Sequence, residues 1–255
     1  MTYSEKRNAL PPAVPAFGLC GLLLAGASYL NIALQRNIER RAGAVPCLAD
    51  YFVSQKSNFY FLFLILPLFL CFLTFLMRHD FLTVFILRSG SRKRLWLKQA
   101  GLIVQYGGAA SLLYTAVTGA AGSLFSQQYI NWQSAESFYF LTGHGILSLP
   151  LWEVAACFFL SCFFAYAAAG LLLILVWWIT NHAALGWLAV ILLCGWDSMM
   201  PGSPVFLGLG SLSYSQWQCG AAVRNTGILL LLQLALFFAG IKYADRKDFL
   251  GDGYV

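Results

Sequence analysis

Charge is what this sequence has least of. Asp, Glu, Lys and Arg make up 10% of its 255 residues, where a soluble domain carries about 25% to cover its water-facing surface. Apolar residues make up 60%, with 21 Phe and 8 Trp, so the chain reads as an integral membrane protein. It has no G-x-x-x-x-G-K-[ST] phosphate loop, no H-E-x-x-H and no paired-cysteine motif. Neither nucleotide hydrolysis by this chain nor a metal site is therefore expected. GLGSLS at 208–213 superficially matches a serine-nucleophile setting, but no base accompanies it and a Gly/Ser turn accounts for it. His79, His144 and His182 fall on different sides of the expected membrane and do not form a shared site. The net charge of +6 has no soluble, aromatic-laced basic surface to go with it. It therefore speaks for lipid headgroups and topology rather than nucleic acid.

What is abundant is long apolar runs. Six recur: 14–33, 59–77, 100–121, 154–179, 183–196 and 226–243. The first is about 20 residues, longer than a signal-peptide h-region, and reads as a span. The second contains Pro67, a kink that a helix bundle tolerates. The fifth is short for a ~30 Å hydrocarbon core. Six crossings put both termini on one side. With that side cytoplasmic, inner segments hold eleven Lys and Arg and outer segments five, so N-in and C-in is the expected orientation. Trp132, Trp152, Trp196 and Trp217 then fall near outer boundaries, and Trp96, Trp177 and Trp178 near inner ones, where aromatic belts form. The expected fold is all-α, a single membrane domain over 1–255, with a tight inner hairpin around Thr180–His182.

Few polar residues offer chemistry. Glu153 and Asp197 lie at the outer ends of spans. Helix capping or headgroup contact explains them, the functional alternative being an outer vestibule biased against anions. Cys20, Cys71, Cys157, Cys162 and Cys194 read as packing residues, while Cys47 and Cys219 fall in outer loops and are candidates for a disulfide if the outside is oxidising.

The exception to the charge scarcity is RHDFLTVFILRSGSRKRLWLKQ at 78–99. Asp80 suits the N-cap of a short helix over 81–88, Ser89-Gly90 suits its stop, and Ser91 can cap the next helix. Phe81, Val84, Phe85 and Ile86 cannot all face lipid in so short a segment, which leaves apolar surface for a partner.

Six spans with both ends inside and a basic RSGSRKRLWLK element between spans two and three resemble the permease subunits of bacterial ABC-2-type transporters. The similarity is to the short permeases tied to export of, or immunity to, bacteriocins and other peptides. It implies that Asp80 through Arg88 form a coupling helix docking on a separate ATPase. Phe81, Val84, Phe85, Arg88, Ser91, Arg92, Arg94 and Trp96 would frame that contact. It implies that the segment between spans five and six, DSMMPGSPVFLGLGSLSYSQW, is re-entrant from outside. It further implies no cofactor on this chain, ATP and Mg on two copies of the ATPase, and a second permease, identical or related. The location would be a bacterial cytoplasmic membrane. Few buried charges favour a hydrophobic or amphipathic peptide or lipid as cargo. The alternative is a non-transporting membrane interaction, sensor or assembly protein, which would need no ATPase.

Overall fold

A computed structural model describes residues 13–56, 58–78, 91–199, 206–210, 212–218 and 221–246. Among the described residues the helices in chain order are α1 (Ala13–Arg41), α2 (Leu48–Gln55), α3 (Phe61–Met77, preceded by a helical turn Asn58–Tyr60), α4 (Arg92–Phe125), α5 (Phe138–Leu141), α6 (Leu151–Thr180), α7 (Ala183–Met199), α8 (Tyr214–Gln218) and α9 (Ala221–Arg246). A 3-10 turn, Leu207–Gly210, precedes α8. Among the described residues there is no strand; two isolated bridges, Val45 to Ser137 and Cys47 to Gln128, tie the chain after α1 to the loop after α4.

Among the described residues four helices are long and apolar enough to cross a membrane: Pro15–Arg41, Arg92–Phe125, Leu151–Thr180 and Val223–Arg246. This is a multi-pass helical membrane protein. Every peptide group inside hydrocarbon must be bonded internally, which a helix achieves by itself. Outward positions stay apolar, with Leu22, Leu30, Leu192 and Leu231 all exposed, as lipid contact requires. Phe61–Met77 and Ala183–Met199 are shorter apolar helices, each about 26 Å long at 1.5 Å per residue.

The centre of the molecule is α6, which packs against α4, α7 and α9. It carries Ala165, Ala167, Ala168, Ala169 and Gly170, all buried, and small residues of this kind let helices approach closely. The α6–α7 hairpin is as tight as its sequence indicates. Asn181 closes α6 in the left-handed conformation, φ 60°, its N–H bonded to the Trp177 carbonyl at 2.9 Å. At Gly186 a Cβ would stand 2.6 Å from the Leu173 carbonyl oxygen, so only glycine fits that crossing.

Two elements differ from the sequence expectation. Arg36, Arg40 and Arg41 of RNIERR, counted among the outer segments beyond the first run, are helical: α1 continues to Arg41, and Gly43 at φ 73° turns the chain. Residues 48–55, expected in an outer loop, form α2 and fold inward. α3 also starts unusually, because Phe61–Ile65 is a π turn. The Leu66 N–H reaches back to the Phe61 carbonyl, and Pro67, one residue on, has no N–H to continue an α ladder.

The tryptophans are mostly not belts. Trp152 and Trp196 are exposed, but Trp96, Trp132, Trp177, Trp178 and Trp217 are buried. Their rings fill space between helices rather than resting at a headgroup boundary.

Candidate functional site: a polar seam beneath an aromatic cap

Where α1 and α4 end and α6 begins, the bundle is closed by α2, the 126–150 loop with α5, and the 206–218 segment. Almost all of α2 is buried, only Ser54 being half-exposed. Its leading N–H groups have no side-chain cap. Instead Leu48 donates to the Gln128 carbonyl at 3.0 Å and Ala49 to the Tyr129 carbonyl at 3.1 Å. The loop after α4 thus supplies the acceptors that a helix start needs.

Asp50, fully buried in the first turn of α2, is the hub. Its Oδ1 accepts from Trp132 Nε1 at 2.8 Å and from the Tyr214 hydroxyl at 3.0 Å; its Oδ2 accepts from Cys47 Sγ at 3.1 Å. These donors come from three separate parts of the chain. Trp132 in turn stacks on Tyr139, ring centroids 4.9 Å apart, and meets Trp217 at 5.8 Å and Tyr214 at 6.0 Å. Burial raises the Asp50 carboxyl above the usual carboxylate range, and the bonds from Cys47, Trp132 and Tyr214 pull it partly back. The Cys47 thiol is also pushed up, first by burial and then by the Asp50 charge. Nearby on α1, Glu39 is buried, with Oε1 taking a bond from Gln35 Nε2 at 2.9 Å and Oε2 lacking any hydrogen-bond partner.

The seam continues downward. Gln55 Nε2 donates to the Ser28 carbonyl at 2.7 Å, and the Tyr114 hydroxyl lies 2.8 Å from the Gln55 carbonyl oxygen and 2.9 Å from its Oε1. Lys56 is buried with its ammonium 3.1 Å from the Phe61 ring centroid and 3.4 Å from the Ser161 carbonyl oxygen. Ser161 lies ten residues after Leu151, about 15 Å along α6, so this cation sits deep in the bundle. Its stabilising contacts are a π face, a carbonyl and the Cys162 side chain, with no carboxylate among them.

In this seam the Cys47 thiol donates to the Asp50 carboxyl group. Among the described residues no group of three His, Cys, Asp or Glu could hold a metal.

Of the site residues singled out from sequence, Cys47 lies in this seam. Asp80, Phe81, Val84, Phe85 and Arg88 lie outside the described residues. Ser91 takes the extended N-cap conformation of α4, φ −157° and ψ 128°, without a side-chain cap bond, and its carbonyl accepts from the Leu95 N–H. Arg94 is exposed and Arg92 half-exposed. Trp96 points the other way: it is fully buried, edge-on to Trp178 at 5.9 Å. A Cβ at Gly240 of α9 would collide with its indole. Trp178 donates to Gln99 Oε1 at 2.7 Å beside it. Trp96 thus packs between α4, α6 and α9 instead of standing beside the exposed cations.

Glu153 is half-exposed at the start of α6. Asp197 is fully buried and accepts from the Phe206 N–H at 3.2 Å and the Gly208 N–H at 2.7 Å. It caps the 3-10 turn, and no vestibule is needed to explain it. The Cys47 thiol is turned to Asp50 Oδ2; Cys219, its expected disulfide partner, lies outside the described residues. The seam itself, Glu39, Asp50, Gln55 and Lys56, was missed. Its one sequence signal is a lone acid inside the apolar stretch CLADYFV.

Comparison with protein-family models, with curated proteins and with solved structures finds no match for this chain.

Proposed function

We propose that this chain is the permease subunit of an ATP-driven ABC-2-type exporter in a bacterial cytoplasmic membrane. In this reading it crosses six times, with both termini inside. It works beside an identical or related permease over two copies of an ATPase subunit that bind ATP and Mg. Its cargo is a hydrophobic or amphipathic peptide or a lipid.

The order of elements carries this reading. Four long apolar helices and two shorter ones alternate with a basic connection between α3 and α4 and a pair of short helical pieces between α7 and α9. Those pieces tuck into the bundle: Phe206, Leu212 and Trp217 are buried, and the Gly210 carbonyl accepts from Ser161 of α6. A segment that enters and leaves on the same side is what the family resemblance implies there. The helices of 17 residues fall at the lower end of the length that spans a bilayer. Burial of Trp96 between three helices gives the basic connection a firm attachment to the bundle.

The test is purification of the chain co-expressed with its neighbouring genes, with identification of co-purifying chains and an ATP-hydrolysis assay. A stoichiometric ATPase, lost from the complex on combining Arg88→Glu with Arg92→Glu in correctly inserted protein, is the expected result. A chain that purifies without an ATPase overturns the proposal in favour of a non-transporting membrane interaction protein.

A further inference from the structure

A cavity of about 480 Å³ lies among α1, α2, α5 and the segment leading into α8, with Gln35, Ser54, His144, Ser213, Tyr214 and Ser215 in its lining. That volume is in the range of small-molecule sites, about 300–1,000 Å³.

Two of its polar groups are already committed as donors. Tyr214 gives its one hydroxyl proton to Asp50 Oδ1, and Gln35 gives an amide N–H to Glu39 Oε1. The phenol oxygen is left only with lone pairs, and Gln35 keeps its carbonyl oxygen, so both favour a ligand that donates. Directly behind them, each one hydrogen bond away, stand two buried carboxyl groups, Asp50 and Glu39, and Glu39 Oε2 lacks a hydrogen-bond partner. The wall is aromatic as well. Phe138 and His144 each lie with ring centroids 6.0 Å from that of Tyr214, and aromatic faces attract cations.

We propose that this cavity binds a solvent-borne organic cation, an ammonium group of the kind a lysine side chain carries. A metal ion is disfavoured by the aromatic wall and by the absence, among the described residues, of any three-residue ligand group. Ser213 and Ser215 at the rim are exposed and polar, which suits a ligand arriving from water rather than an acyl chain. The site does not depend on the exporter reading.

The test uses the purified full chain in phosphatidylcholine nanodiscs and titration calorimetry with two probes of one shape. N-acetyl-lysinamide carries the ammonium, and N-acetyl-norleucinamide lacks it. Saturable binding of the lysine probe, with the norleucine probe weaker by about tenfold or more, is the expected result; one lost charge contact is worth that much. Glu39→Gln should weaken the lysine probe by a similar factor. Ser215→Trp, which fills the cavity from its exposed rim without touching either acid, keeps the test decisive if Glu39→Gln fails to fold. Equal binding of the two probes, no binding of the lysine probe, or unchanged affinity in Ser215→Trp overturns the proposal. Displacement by millimolar Ca²⁺ overturns the organic class, and displacement by added phosphatidylethanolamine overturns the solvent-borne source in favour of a lipid headgroup.

Discussion

Asp50→Ala and Asp50→Asn should have very different costs, because both strong donors converge on one oxygen. Trp132 Nε1 and the Tyr214 hydroxyl both bond Oδ1, and only the weak Cys47 thiol bonds Oδ2. Alanine removes the acceptor and strands a buried indole N–H together with a phenol. At about 1–3 kcal/mol for each stranded donor, discounted because Tyr214 is partly accessible, the loss is roughly 3–4 kcal/mol. In a chain of this size that lowers Tm by about 10 °C, at about 2–4 °C per kcal/mol. Asparagine keeps Oδ1 and turns an amide N–H toward the Cys47 sulfur, so it should cost less than about 1 kcal/mol, under about 3 °C in Tm. Thermal unfolding of the detergent-purified protein, read by loss of the monodisperse peak after heating, measures both.

A pH series sharpens the result. The folded Asp50 carboxyl lies above its unfolded value of about 3.9. The folded state therefore holds the proton more tightly. Its advantage is complete below the unfolded value and is lost as pH rises through the folded value. The Tm difference between Asp50→Asn and the parent should consequently move in favour of asparagine from about pH 4 upward. Asparagine as damaging as alanine, or a difference that moves the opposite way with pH, would refute the assignment of Oδ1 as the structural acceptor.

Gly186→Val should be among the most damaging changes in the membrane helices, since a Cβ there meets backbone 2.6 Å away. A loss of about 1–3 kcal/mol or more should appear as reduced yield of folded protein, and Gly101→Val, with open space around it, serves as the tolerated control. Cys47 should resist a bulky maleimide until the protein is denatured, because its thiol is buried and engaged by Asp50; rapid labelling of folded protein would contradict the packing. Lys56→Met should leave Tm unchanged or raise it, because it replaces a buried cation lacking a carboxylate partner by an apolar chain of similar size. A large Tm loss in Lys56→Met would show that the π face and carbonyl hold the ammonium more strongly than expected.

The long helices were legible from sequence because uninterrupted apolar runs have few other readings. The run 154–179 became Leu151–Thr180, and the Asn181 hairpin fell where the polar TNH interrupts it. Helix ends were less legible, since the first apolar run ends at 33 although α1 extends to Arg41. The seam was harder still. Asp50 and Tyr214 are 164 residues apart and Asp50 and Trp132 are 82 apart. Nothing local at 50 announces that two donors from distant parts of the chain will close over it. Trp132 shows the same limit: a tryptophan near the end of an apolar run fits a headgroup belt equally well until its neighbours across the fold are known.

α4 links the two ends of the molecule without a break. Its 34 residues make a rod about 51 Å long, rooted at Ser91 beside the basic connection and ending at Phe125. The Phe125 carbonyl lies 3.5 Å from the Tyr51 hydroxyl of α2, and the Phe125 ring lies under Arg36 of α1. Rods convert small angles into distances. Pivoting about one end, a tilt of about 5° carries the other end of such a helix through about 4 Å, more than the reach of any hydrogen bond in the cap. A tilt about the Ser91 end would act first on the Phe125 contacts with Tyr51 and Arg36.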